Sequence, residues 1–275
     1  AREKGIKKVV ALMRSGEPSV SKLFTSMLRC VGTSDITLKK LIYIYLINFS
    51  SQEPEQSIMA VNAFIKDSED PNPIVRALAV RFMCRIKIET VAEYMLIPLK
   101  KCISDESPFV RKTAALAVAK LYEIIPESVE NSELLNLLLN LLKDDNPMVI
   151  ANATSALFEI NSRRTVPFFV LNEATVTPII SATTQSSEWV FAELFDSLAN
   201  YQPATADEAS FLIERLIPFM KHTNPAVVIS AFRCIIIFIG YSKSQPEEIF
   251  PLIIPSFLSL IRKSEFPEIS FVALR

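Results

Sequence analysis

The sequence predicts an all-α fold, a right-handed α-solenoid in which pairs of helices stack in register. A short phrase recurs along it: Asp70-Pro-Asn-Pro73-Ile-Val-Arg-Ala-Leu-Ala, Asp105-Glu-Ser-Pro108-Phe-Val-Arg-Lys-Thr-Ala, Asp144-Asp-Asn-Pro147-Met-Val-Ile-Ala-Asn-Ala and His222-Thr-Asn-Pro225-Ala-Val-Val-Ile-Ser-Ala. Its prolines lie 35, 39 and 78 residues apart, the last gap being two units of 39, which is the period of stacked helical pairs. The chain of 275 residues is 50% hydrophobic yet holds only 4 glycines and no GxGxxG or GxxxxGK[ST], so the phosphate turns of an α/β nucleotide fold are missing.

Each phrase encodes the start of a helix. The residue before the proline is Asn72, Ser107, Asn146 or Asn224, a side chain able to accept an orphan backbone N–H as N-cap. Proline follows at the first helical position, where its missing N–H costs nothing. Val75, Val110, Val149 and Val227 come two residues later, and Ala79, Ala114, Ala153 and Ala231 four further on the same face. An alanine at the crowded mid-point lets two helices approach closely. These are second helices of helix–turn–helix units, in HEAT/armadillo-like fashion. Asp35-Ile-Thr-Leu-Lys-Lys-Leu-Ile-Tyr-Ile-Tyr-Leu fits one period before Pro73, and Glu188-Trp189-Val-Phe-Ala-Glu-Leu-Phe fits the missing member of the long gap. Partner helices are predicted over 91–103, with Pro98 bending it, over 132–143, with Ser132 as cap and Lys143 at its C-terminal end, and over 208–221 and 247–263. In all there are about seven helical pairs or partial pairs. Both ends read as cut, so residues 1–275 are predicted to be a single α-solenoid, part of a longer trunk.

Composition excludes several functions. The most apolar run, Cys234-Ile-Ile-Ile-Phe-Ile239, is far short of the roughly 20 residues of a spanning helix. Cys30, Cys84, Cys102 and Cys234 are scattered without CxxC spacing, as expected of free thiols in a reducing compartment. The lone histidine, His222, falls in a turn phrase with no triad or metal partners nearby in the pattern, and reads as a polar turn residue. Asp70 with Arg76, and Asp105 with Arg111, fit ladders between neighbouring repeats. Trp189 reads as core. No enzyme, metal or cofactor is predicted. The net charge of −1 conceals an asymmetry, because residues 1–50 hold nine basic side chains against three acidic ones, a net of +6, and the remainder carries −7. A basic end on an acidic body favours docking of that end to an anionic surface.

Specific words go beyond the period. Leu38-Lys-Lys-Leu-Ile-Tyr-Ile-Tyr-Leu46, Ser57-Ile-Met-Ala-Val-Asn62, Lys66-Asp-Ser-Glu-Asp-Pro-Asn-Pro-Ile-Val-Arg-Ala-Leu-Ala-Val-Arg81 and Pro108-Phe-Val-Arg-Lys-Thr-Ala-Ala115 closely resemble the β-adaptins, large subunits of heterotetrameric clathrin adaptor complexes. The likeness continues through Asn146-Pro-Met-Val-Ile-Ala-Asn-Ala153, Ala226-Val-Val-Ile-Ser-Ala231 and Phe271-Val-Ala-Leu-Arg275 and covers essentially the whole chain. It implies the amino-terminal trunk, a cytoplasmic scaffold peripheral to Golgi, endosomal or plasma membranes. That trunk holds the adaptor medium and small chains and a second large adaptin, binds no nucleic acid, and meets clathrin only through a hinge and appendage absent here. The same resemblance implies a phosphoinositide contact at the basic end, here Lys4, Lys7, Lys8, Lys39 and Lys40, and an Arf-type small-GTPase contact at Ile58 and Val61. A large subunit of a related coat, coatomer-like or of a more divergent adaptor, and a karyopherin-like transport receptor are the alternatives, the last disfavoured because one tryptophan cannot build a Trp/Asn ladder.

Overall fold

In the computed structural model the described residues are 2–172, 175–176, 188–243, 246–263 and 267–274, and among them all regular structure is helical. They fall into two compact units, Ala1–Leu141 and Leu142–Arg275.

The first unit opens with α1 (Arg2–Arg14), a 3₁₀ turn (Pro18–Leu23) and α2 (Phe24–Leu28), followed by α3 (Ile36–Phe49), α4 (Pro54–Asp67) and α5 (Pro73–Met83). It continues with α6 (Glu89–Ala92), a 3₁₀ turn (Glu93–Met95), α7 (Leu96–Ile103), α8 (Pro108–Ile124), α9 (Pro126–Glu130) and α10 (Leu134–Asn140). Second helices stack on one another: α1 packs on α3, α3 on α5 and α5 on α8. First helices α4 and α7 pack against α5 and α8. Tyr43 of α3 ties the stack together, edge-on to Phe64 of α4 at 4.5 Å and to Phe82 of α5 at 5.6 Å.

The second unit holds α11 (Pro147–Ser162), α12 (Glu188–Leu198), α13 (Ala206–Leu216) with its 3₁₀ extension (Ile217–Lys221), α14 (Pro225–Ile239), α15 (Pro246–Lys263) and α16 (Pro267–Leu274). Here α11 packs on α12, α12 and α13 on α14, and α14 on α15. The helix expected near Glu188 is present as α12, whereas the Trp189 side chain lies outside the described residues.

The repeated phrase is a two-step cap. Asp70, Asp105 and Asp144 each accept the backbone N–H two residues on, from Asn72, Ser107 and Asn146, at 2.8 Å. The N-cap asparagines then accept the next orphan N–H, Asn72 from Ile74 at 2.9 Å and Asn146 from Met148 at 3.0 Å, satisfying donors that a helix start leaves open. In the fourth copy His222 takes the aspartate's place, its Nδ1 accepting from the Asn224 N–H at 3.1 Å, so it is the polar turn residue the phrase predicts. Ser107 departs from expectation. It sits at the N-cap position, but its hydroxyl makes no capping bond, and the bidentate Asp105 holds the turn in its stead.

The four mid-helix alanines, Ala79, Ala114, Ala153 and Ala231, are fully buried, each where second helices meet and a larger side chain would overfill the space. The partner helices are less regular than their spacing suggests. Residues 91–103 split into α6, a 3₁₀ turn and α7, which puts Pro98 in the first turn of α7, where its missing N–H is harmless, and not in a bend. Residues 132–143 begin their helix two residues late, at Leu134, whose N–H the Ser132 hydroxyl still accepts at 3.2 Å.

Candidate functional site

The surfaces that the sequence singles out lie in the first unit. At the basic end α1 buries Ile6 and Val10 against its neighbours and leaves Lys4, Lys7 and Lys8 exposed. Lys7 pairs with Glu3 one turn earlier at 2.6 Å, both side chains more than half exposed. Such a pair is worth little and yields readily to a stronger anion. Lys40 on α3 is exposed as well. Lys39 is not, and here the structure corrects the expectation. It is 5% exposed, with Nζ 2.6 Å from an Asp67 carboxylate oxygen that also accepts the Tyr43 hydroxyl. Successive residues on a helix are turned about 100° apart, so when Lys40 faces water Lys39 faces α4. Burial, then the hydrogen bond to Asp67, raises the Tyr43 phenol far above its ordinary value, so Tyr43 stays a donor to Asp67.

The α4 face divides in the same way. Ile58 is 46% exposed and Met59 61%, whereas Val61 is 1% exposed. Val61 thus belongs to the core beneath the patch, with Ala60 and Phe64, and is corrected from contact residue to support. Sequence reasoning missed two exposed apolar side chains. Tyr94 and Ile97 are 62% and 71% exposed, on the 3₁₀ turn and α7. α4 packs against α6 and that turn. The only signal in the sequence was that Tyr94 and Met95, both apolar, are consecutive, and a helix buries one side.

Part-buried polar groups elsewhere hold the repeats together. Arg76 of α5 grips Asp105 with Nε and Nη2, both at 2.8 Å, and donates Nη1 to the carbonyls of Asp70 and Pro71 at 2.9 and 3.0 Å. The sequence pairs Asp70 with Arg76 and Asp105 with Arg111; in the structure the carboxylate bond runs from Arg76 to Asp105 of the next repeat, and Arg76 and Arg111 meet Asp70 and Asp105 at the backbone carbonyls. Burial raises the Asp105 carboxyl, but hydrogen bonds from Arg76 and the Ser107 N–H and the charges of Arg76 and Arg111 outweigh it, leaving it below its usual value. The thiols of Cys84, Cys102 and Cys234 are pushed up to about 12 by burial, which makes them poor nucleophiles. Among the described residues no three His, Cys, Asp or Glu side chains group as a metal site, and no helix is long and apolar enough to cross a membrane.

The "Adaptin N terminal region" family matches residues 1–275. The chain belongs to the adaptin family. Among curated relatives, the AP-1 complex subunit beta-1 of Mus musculus is 41% identical over 278 residues, covering 100% of this adaptin chain and 29% of the relative. The AP-1 complex subunit beta of Dictyostelium discoideum is 39% identical over 276 residues with the same coverage. The AP-1 complex subunit beta-1 of Saccharomyces cerevisiae is 35% identical, with 38% of its length covered. The resemblance to β-adaptins is thereby established, and this chain spans 29–38% of the length of those relatives. Among solved structures, a chain titled as a homology model of the full-length AP-3 complex in an intermediate open conformation superposes with a TM-score of 0.69 at 20% identity, covering 98% of this adaptin and 48% of that chain. At that identity the likeness shows the fold, an α-solenoid of helical repeats.

Proposed function

We propose that this β-adaptin region is a scaffold element of a clathrin-associated adaptor complex, holding the medium and small chains and pairing with a second large adaptin during coat assembly and cargo sorting. The observation that carries the reading is the alignment of all 275 residues with chains named as AP-1 β subunits. Stacked helical pairs suit the task, because each repeat adds another strip of surface to which a partner chain can be fitted.

Membrane attachment is proposed to be peripheral, through phosphoinositide headgroups on Lys4, Lys7, Lys8 and Lys40, with Lys39 excluded by its bond to Asp67. Each lysine adds about 1 kcal/mol near an anionic surface, and salt screens it. Ile58, with Met59 beside it, is proposed as the apolar contact for an Arf-type small GTPase, Val61 keeping the helix seated from below. Clathrin and nucleic acid are not assigned to this region.

Vesicle flotation and GTPase pull-down test both contacts. Lys4→Glu with Lys8→Glu is expected to lower binding to phosphoinositide vesicles at least fivefold, and Ile58→Asp to abolish retention of the GTP-loaded GTPase while the melting temperature stays put. Unchanged binding in correctly folded variants overturns the respective contact.

A further inference from the structure

One of the four capped turns is built on a different chemistry from the rest. The turns before α5, α8 and α11 hold the backbone N–H two residues on with the carboxylates of Asp70, Asp105 and Asp144, and a carboxylate as a class surrenders that role only in acid. The turn before α14 uses His222, the chain's single histidine, whose Nδ1 accepts from the Asn224 N–H at 3.1 Å. Asn224 in turn accepts the Ala226 N–H at 2.9 Å and donates Nδ2 to Glu188 of α12 at 3.2 Å. The start of α14 and its bond to the preceding repeat therefore rest on one imidazole lone pair.

An imidazole that accepts through Nδ1 carries its proton on Nε2, so Nδ1 holds the only basic lone pair of the ring. A second proton and the Asn224 N–H compete for that one position. Once protonated, both ring nitrogens are donors, and Nδ1 meets the Asn224 N–H donor to donor. Histidine is the side chain whose charge changes between about pH 5 and 8, and the His222 ring is partly open to water.

The surroundings tie the ring to its neighbours. Phe191 of α12 lies edge-on to it, with centroids 5.9 Å apart, and packs in the same way on Phe219 of the 3₁₀ extension at 5.0 Å. Charged groups on the elements packed around the turn have both signs: Glu188 and Asp196 on α12, Glu214 and Arg215 at the end of α13, Lys221 beside the ring, Arg233 on α14, and Arg262 and Lys263 at the end of α15. Of these, Glu188 alone is hydrogen-bonded into the turn, through Asn224.

We propose that the turn between α13 and α14 is a proton-operated latch. Protonation of His222 releases the Asn224 N–H, loosens the first turn of α14 together with its bond to α12, and leaves the three aspartate-held turns shut. Mild acidification thus opens one chosen repeat in a stack whose other capped turns do not respond.

The test is hydrogen–deuterium exchange on the whole 275-residue chain at about pH 8 and about pH 5.5, read by mass spectrometry and corrected for the intrinsic effect of pH on exchange. The starts of α5 and α11 in the same sample are the internal references. Protection over residues 224–229 is expected to fall at least threefold relative to them at the lower pH, as the loss of an N-cap acceptor implies. His222→Asp installs the acceptor of the other copies and is expected to abolish the fall. His222→Asn, an acceptor without charge, is expected to do the same and serves if a carboxylate near Glu188 impairs folding. His222→Ala is expected to show the low protection at both values. No fall in the unaltered chain, or an equal fall in His222→Asp and His222→Asn, overturns the proposal. So does a fall shared equally by the starts of α5 and α11, which would mark general loosening by acid.

Discussion

Arg76→Ala tests whether the repeats are held in register by the side chains of the phrase itself. Arg76 makes four hydrogen bonds, two to Asp105 and two to the Asp70 and Pro71 carbonyls, so its removal frees α5 from the turn that starts α8. Breaking a buried pair by deleting one partner costs about 3–5 kcal/mol. Both side chains keep 11% exposure, so water partly resolvates Asp105 and the loss is placed at about 3 kcal/mol. For a chain of this size that corresponds to a fall of about 6–12 °C in Tm, read by circular dichroism. Arg76→Met with Asp105→Asn, which leaves no orphan charge, is expected to cost clearly less than the sum of the two single changes. A loss below about 1 kcal/mol for Arg76→Ala, or strict additivity of the pair, refutes the ladder as a structural tie. The pH dependence gives a second reading. The folded Asp105 carboxyl lies below its ordinary value of 3.8, so its contribution is complete above that value and disappears as pH falls through the lower folded one. Asp105→Asn is accordingly expected to flatten the fall in Tm below about pH 4.

The buried and exposed members of adjacent pairs are expected to behave oppositely. Lys39→Glu, which sets a second carboxylate beside Asp67 in a buried site, is expected to cost 3 kcal/mol or more and to lower the urea midpoint, whereas Lys40→Glu leaves it within about 0.5 kcal/mol. Val61→Asp buries an unpaired charge and is expected to unfold the first unit at 37 °C, as followed by circular dichroism, while Ile58→Asp stays folded. Ala114→Leu, at a fully buried helix crossing, is expected to cost about 1–3 kcal/mol or more in the same assay. Titration with a thiol reagent at pH 8 is expected to label Cys30 alone quickly, because Cys84, Cys102 and Cys234 stay protonated until about pH 12.

The architecture was legible because four second helices, α5, α8, α11 and α14, open on the same local chemistry: a turn acceptor, a residue at the N-cap, a proline, then valine and alanine at helical spacing. Arg76 and Asp105 are both fixed points of the phrase, but the sequence pairs each arginine with the aspartate of its own copy, and it is the stacking of α5 on α8 that brings Arg76 to the next one. The first helices lack such a phrase, and their shape is set by packing. A 3₁₀ turn at Glu93–Met95 breaks the helix expected over 91–103, and Tyr94 within it and Ile97 just after it are exposed. Lys39 and Lys40 show a related limit. Composition marks both as basic, but only the position of Asp67, 28 residues away in sequence, decides which one is consumed by the core. Val61 and Ile58 divide for want of the same information, since either side of α4 is apolar enough to be buried.

The most direct test of the scaffold assignment is co-expression of this chain, extended to the full-length protein, with an adaptor medium chain, a small chain and a second large adaptin, followed by native mass spectrometry of the purified material. The account predicts a single assembly with one copy of each chain, which survives Ile58→Asp and Lys4→Glu because it assigns those side chains to the proposed GTPase and lipid contacts and not to the partner subunits. A folded protein that stays apart from all three chains, or that assembles instead with coatomer subunits, contradicts it.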